Sequence, residues 1–363
     1  MPNILHLIPT LEGGGAERQL SMLAEEQRNL GMVVHIGVRR GGVHEQSLKK
    51  TGVIVHALGD YRSLSPSLFL NIVTLIRKTK PEIVQTWLPQ MDFVGGLSAL
   101  CCGVPWIISE RTSAAYYKFT TPLILCRRNL AHFSNAIVAN SLGGLDYWKK
   151  FPTKTNRTFL IPNAVDVDAI QNAKVVRDCE AITNQREILV VGRLVPEKAA
   201  EAVVRAMLLV PPNLNVHLRV IGDGPTAHDL KVLIVELELQ HRVSLSPFRP
   251  DWWGLLKTVS ILISMSRFEG QPNVVLETMA SGCPLIVSDI PAHREILDAE
   301  SAIFVPLDSS AGVADAIVSH FSDPASSAKR AENALKRVSS MTARKMSDTY
   351  AVVYDHVRKQ RII

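Results

Sequence analysis

The stretch SRFEGQPNVVLETMASGCPLIVSD, Ser266 to Asp289, sets two acids, Glu269 and Glu277, on either side of a proline. Pro272 suits the first turn of a helix that Gly282 would end, and PLIVSD reads as the buried strand that follows. Glu269, Gly270 and Gln271 then form a loop at the positive end of the helix dipole, continued by Pro272, Asn273 and Val274. Two carboxylates there repel a bare phosphate but accept hydrogen bonds from hydroxyl groups. Glu269 is placed to take sugar hydroxyls, and Glu277, further along the helix, the vicinal diol of a ribose. The spacing fits a nucleotide sugar, which is hydroxyl-rich at both ends and anionic in the middle. The plainer reading of Glu277 is an exposed helix residue, which the surrounding Gly270, Pro272 and Gly282-Cys283-Pro284 disfavour.

Outward from this stretch, short apolar runs alternate with amphipathic segments, the pattern of parallel sheets with crossover helices. In the first half NILHLIP, VVHIGVR, VIVHAL, IVQTW, WIISE and AIVANS read as strands. A second series runs through REILVVGRL, LNVHLRVIGDG, VSLSPF, ILISMS, PLIVSD and AIFVP. The expected fold class is α/β, with two Rossmann-like doubly wound domains, each beginning with a glycine-marked turn. The expected boundary lies in the weakly periodic stretch 162–186, giving a first domain over 1–165 and a second over 166–340. MTARKMSDTYAVVYDHVRKQRII reads as a closing amphipathic helix over 341–363 with Met346, Tyr350, Val353 and Tyr354 on or near one face. Open sheets of this kind bind ligands at the carboxyl ends of their strands, here in a cleft between the domains.

The 363 residues carry 47% hydrophobic and 20% charged residues, a globular composition. The net charge of +6 is uneven. Residues 1–165 hold 18 Lys/Arg against 10 Asp/Glu, and the remainder 22 against 24. That asymmetry suits solubility or contact with anionic lipid or a phosphorylated substrate, while no nucleic-acid recognition module is present. The start has no basic segment of the signal-peptide kind, and no window offers a membrane-spanning helix. The odd cysteine count, with adjacent Cys101 and Cys102 read as reduced core residues, points to a cytoplasmic protein.

Three further segments carry chemistry. LEGGGAERQL puts Gly14 and Gly15 before a helix, where free N–H groups favour an anion; it fails as a dinucleotide fingerprint because Arg18 takes the third glycine position. VVGRLVPEK places Arg193 and Lys198 past a strand end, two cations suited to a diphosphate leaving group, although a salt-bridged surface loop would look the same. The GDGP turn, Gly222 to Pro225, reads as a tight ligand-facing loop. Asp166-Val167-Asp168 has metal-ligand spacing but reads as a helix start, and neither a metal nor a cofactor is assigned to it. SERTSAAYYKF places Glu110, Arg111, Thr112 and Ser113 at a strand end. Capping and an acceptor contact are both open for it, and Tyr116, Tyr117, Lys118, Arg127 and Arg128 suggest a face for a membrane surface.

In this order, GGGAERQL, AIVANS, IPNAVD, GRLVPEK, GDGP, VSLSPF and FEGQPNVVLETMASGCPLIVSD resemble the motifs of retaining glycosyltransferases of the GT-B fold, specifically glycosyltransferase family 4. The resemblance covers nearly the whole chain. It implies that Arg193 and Lys198 grip the diphosphate of a UDP- or GDP-sugar, Glu277 the ribose and Glu269 the sugar. It also implies that Gly14 and Gly15 border the phosphate from the opposite domain, that the backbone around Leu245 meets the base, and that the C-terminal helix returns to the first domain. Retention is implied by front-face attack, in which the leaving phosphate helps deprotonate the acceptor and Arg193 and Lys198 stabilise charge. The implied role is a metal-independent hexosyltransferase extending a polysaccharide or lipid-linked glycan, cytoplasmic or peripheral at the inner membrane face. The chain departs from the family in WLPQMD, which has no histidine; Gln90, Asp92 and Arg111 are the remaining acceptor candidates there. A two-Rossmann sugar epimerase and an inactive nucleotide-binding scaffold are the alternatives.

Overall fold

The computed structural model describes residues 2–61, 65–118, 121–151, 157–176 and 186–359. The chain divides into two compact units, Met1–Ala164 with Met341–Ile363, and Val165–Ser340. The first is built on strands β1 (Asn3–Ile8), β2 (Val33–Val38), β3 (Ile54–Ala57), β4 (Ile83–Trp87), β5 (Trp106–Glu110), β6 (Ala136–Ala139) and β7 (Thr158–Leu160). The second is built on β8 (Arg186–Val191), β9 (Val216–Ile221), β10 (Val243–Ser246), β11 (Ile261–Ser264), β12 (Leu285–Ser288) and β13 (Ile303–Val305). Their orders, β3-β2-β1-β4-β5-β6-β7 and β10-β9-β8-β11-β12-β13, are those of two doubly wound sheets. All the pairings are parallel, as in β1 on β4 and β8 on β11.

The central strands are apolar because helices cover both faces of a parallel sheet. β4, β5 and β6 are buried at every residue. The order reverses between β1 and β4 in one sheet and between β8 and β11 in the other. Segments leaving those strand pairs diverge to opposite faces, which opens a crevice at their carboxyl ends.

The closing helix, Ala343–Lys359, buries Met346, Tyr350, Val353 and Tyr354 in the core of the first unit. Polar contacts fix its register as well. Gln27 donates to the Tyr354 hydroxyl at 2.8 Å, and that hydroxyl donates to Gln85 at 2.6 Å. Gln85 in turn donates to Ser109 at 2.6 Å. A tyrosine that both donates and accepts inside a core is satisfied only in one placement of the helix.

Twelve strands coincide with the apolar runs read from sequence. The thirteenth, β7, was not expected; its three half-buried or exposed residues form a short sheet edge. Cys101 and Cys102 are both free thiols, but only Cys102 meets the core: it is half-buried and packs against the first unit's core, whereas Cys101 is exposed. Cys101 is the last residue of the helix Pro89–Cys101 and Cys102 its cap.

Candidate functional site

In the second unit the site grows from the carboxyl ends of β8 and β11. The loops after β8 and β9 lie backbone against backbone: Leu194 N–H donates to Asp223 O at 2.8 Å, and Thr226 N–H to Leu194 O at 3.0 Å. A Cβ on Gly222 would stand 1.9 Å from Gly192 O, and one on Gly224, at φ 155°, 2.2 Å from Leu194 O. GDGP is therefore glycine-rich so that the two loops can close. The closure leaves Arg193 exposed, and its guanidinium makes no ion pair among the described residues.

The turn Pro196–Lys198 then carries Lys198 back toward the loop after β11. Its ammonium forms an ion pair with Glu269, the side chains being 25% and 14% exposed. Ser266 donates to the same Glu269 oxygen at 2.7 Å. Ser266 O accepts from the Ser288 hydroxyl at 2.5 Å, and His293 Nδ1 meets Ser288 O at 2.7 Å, so the loop is tied to the end of β12. Burial pushes the Glu269 carboxyl up, but the charge and hydrogen bond of Lys198, the Ser266 hydroxyl and nearby His293 outweigh it and hold Glu269 below its ordinary value. Gly192, Arg193, Lys198, Ser266, Glu269, Pro272 and Val274 line one pocket.

The helix Asn273–Ser281 has Pro272 as its N-cap and Gly282 in the left-handed conformation, φ 73°, as its C-cap. Gln271 is buried in the loop before it, next to Gly270. Glu277 is 4% exposed, so it is not a solvated helix residue, and one of its oxygens accepts from the Trp253 indole at 3.1 Å. Leu245 lies half-buried on β10, at the edge of the sheet, paired with Val220. The backbone that follows it is held by Asp223, whose carboxylate accepts from Phe248 N–H at 3.0 Å.

In the first unit Gly14 and Gly15 are exposed at the start of the helix Gly15–Asn29. The Glu17 carboxylate folds back over Gly14, where a Cβ would be 2.1 Å from it, and accepts from Thr10 at 2.7 Å. An acid of the chain itself thus faces that helix start. Gln90 is half-buried beyond Leu88, whose φ of 71° is a strained backbone at the end of β4.

Asp92 is fully buried, bonded to the Thr86 hydroxyl at 2.6 Å and to Arg127 at 2.7 Å. Arg127, 1% exposed, reaches Glu110 at 2.8 Å, and Tyr117 and Trp148 donate to Glu110 at 3.0 Å. Glu110 also accepts from Thr112 N–H at 2.9 Å, so it caps its strand end. Arg127 and Tyr117 therefore turn inward, leaving Tyr116, Leu125 and Phe133 as the exposed apolar residues of that region. Arg111 stacks on Trp87, 4.5 Å from the ring centre, and donates to Asn163 at 3.1 Å and to the Tyr350 hydroxyl. Asp166 caps the short helix Val167–Gln171, accepting from Ala169 N–H at 2.9 Å.

Sequence reading missed Ser266, His293 and Trp253. Ser266, a hydroxyl three residues before a loop glutamate, was legible as a local partner. The other two reach the site only through tertiary packing.

Two family models match, Glycosyltransferase Family 4 over residues 13–169 and Glycosyl transferases group 1 over residues 174–337. The chain is 29% identical over 164 residues to an uncharacterized glycosyltransferase of Methanocaldococcus jannaschii, a match covering 44% of this chain and 40% of that one. It is 25% identical over 244 residues to the UDP-Gal:alpha-D-GlcNAc-diphosphoundecaprenol alpha-1,3-galactosyltransferase of Escherichia coli, covering 62% of each. The chain thus spans less than two thirds of the length of either relative. The crystal structure of Anabaena HepE in complex with UDP-glucose superposes with a TM-score of 0.88 at 20% identity, over 98% of this chain and 100% of that one.

Proposed function

The chain belongs to glycosyltransferase family 4, and we propose that it transfers a hexose-type sugar from a UDP-sugar to a glycan or lipid-linked acceptor, with retention of configuration. The observation that carries this reading is the Lys198–Glu269 pair, still partly open to solvent, beside exposed Arg193 at the carboxyl ends of β8 and β11. The E. coli relative is named for a UDP-Gal donor and a diphosphoundecaprenol acceptor, and HepE holds UDP-glucose, which favours UDP over GDP.

In the proposed reaction Arg193 and Lys198 meet the donor diphosphate. As the bond from the anomeric carbon to phosphate oxygen breaks, negative charge grows on that oxygen, and two fixed cations stabilise it. The acceptor hydroxyl forms its bond to the same face of that carbon and passes its proton to the departing phosphate. Glu269 takes the sugar hydroxyls and hands part of Lys198 to the phosphate, while Glu277 takes the ribose diol. No step needs a divalent metal. The first unit binds the acceptor, with Gln90 and Arg111 as contacts, and its basic surface with Tyr116, Leu125 and Phe133 rests on the anionic inner face of a membrane.

The test is transfer from UDP-glucose, UDP-galactose and GDP-mannose to a lipid-diphosphate-linked sugar in the presence of EDTA, with the product anomer read by proton NMR coupling. An α-linked product that forms undiminished under EDTA is expected. A β-linked product, or turnover of GDP-sugars alone, would overturn the mechanism or the donor assignment respectively.

A further inference from the structure

A buried glutamate that reads a diol must hold its carboxylate plane still, because a freely rotating group accepts either hydroxyl poorly. Glu277 lies near the middle of its helix and is 4% exposed, and its Oε2 accepts from the indole N–H of Trp253 at 3.1 Å. Trp253 belongs to the turn Trp252–Lys257, which is anchored on both sides of it. Trp252 is 1% exposed and fills the core. Gly254 is pressed against the segment before β8: a Cβ there would stand 2.1 Å from Lys174 O, and Gly254 O accepts from Val176 N–H at 3.3 Å. With its neighbours fixed, the half-buried indole is held at Glu277 before any ligand arrives.

The choice of donor matters. Glu269 is held by an ammonium, which suits a group that must also face phosphate. An indole N–H orients a carboxylate without adding positive charge of its own.

We propose that Trp253 is the positioning residue for recognition of the donor ribose: its indole fixes the Glu277 carboxylate in the orientation that accepts from the 2′- and 3′-hydroxyls. This rests on the donor-site reading above, and assigns it a residue outside the paired-glutamate stretch. Trp253 touches Glu277 and not the reacting atoms, so its effect falls on nucleotide affinity and on discrimination at the ribose.

The experiment compares binding of UDP and 2′-deoxy-UDP to the wild type, Trp253→Phe, Glu277→Ala and the double variant, by calorimetry. Wild type is expected to prefer UDP. Trp253→Phe keeps an aromatic ring but loses the N–H; it should weaken UDP binding about five- to tenfold, within the worth of one ordinary hydrogen bond. Binding of 2′-deoxy-UDP should change by less than about twofold, on the same hydrogen-bond scale. The double variant should bind UDP as weakly as Glu277→Ala alone, since the indole acts through that carboxylate. Equal weakening toward both nucleotides, or additive losses in the double variant, would overturn the positioning role while leaving the donor site standing. A wild type that binds UDP and 2′-deoxy-UDP equally would instead sink the ribose assignment of Glu277, and this inference with it.

Discussion

Each unit carries a cluster of opposite charges, and the two are built in opposite ways. In the first unit Arg127, Asp92 and Glu110 are 1%, 0% and 1% exposed, and Tyr117, Trp148 and Thr86 complete their hydrogen bonds. In the second unit Lys198 and Glu269 are 25% and 14% exposed, beside an Arg193 with no ion pair among the described residues. The acids respond differently. Burial pushes Asp92 up to about 6 in spite of Arg127, whereas Lys198 overcomes burial and holds Glu269 low. A closed cluster is a piece of architecture; an open one with spare positive charge is a place for an anion. Charge alone did not separate them, and accessibility did.

The comparison breaks most visibly at Arg127. Arg127→Met leaves two carboxylates buried without their cation, and should cost about 3–5 kcal/mol in urea unfolding of the first unit. A loss under about 1 kcal/mol would mean that water reaches the cluster. In the second unit Lys198→Ala should behave the other way round. Its kcat/KM should fall by about 10²–10³, the range for losing one charge-stabilising group, while Tm moves by only about 3 °C or less. A large fall in Tm with turnover intact would place Lys198 with the structural cluster.

Gly224→Ala tests the scaffold under the open pair. The new methyl meets Leu194 O at 2.2 Å and has to adopt φ 155°. Destabilisation by about 1–3 kcal/mol is expected, with weaker donor binding because Leu194, which the methyl pushes, is next to Arg193 in the loop after β8. Unchanged stability would show that the two loops do not need to close.

The smallest effect is a pH dependence. A carboxyl whose folded pKa, about 6, exceeds its unfolded value binds its proton more tightly when folded. Asp92 therefore contributes stability that is fully present below about pH 4, the unfolded value, and lost as pH rises through 6. Asp92→Asn removes that titration. Thermal melts should show the wild type's advantage over Asp92→Asn shrinking from pH 4 to pH 7. A gap that widened with pH would mean that Arg127 governs the ionisation of Asp92.

Sequence made the fold largely visible because parallel strands buried on both faces are continuous apolar runs. β7 escaped because three residues at a sheet edge carry no such signal. In the site, Glu269, Lys198 and Arg193 were legible from their place at strand ends, and the helix from Pro272 to Gly282 from its caps. Asp92 looked the same on paper, a polar residue after a strand, because its partner Arg127 is 35 residues away in the chain. Trp253, 24 residues from Glu277, was invisible for the same reason. Long-range partners decide whether an acid is closed in or left open, and spacing within one segment does not report them.

The most direct test of the donor site is thermal stabilisation by UDP in wild type, Arg193→Ala, Glu277→Ala and Asp92→Asn. Near a hundredfold excess over Kd, a ligand of the folded state adds about 2.7 kcal/mol to its stability. A UDP-dependent rise in Tm is expected for wild type and Asp92→Asn, with smaller rises for Arg193→Ala and Glu277→Ala. An equal rise in all four proteins, or a rise lost only in Asp92→Asn, would contradict the donor site.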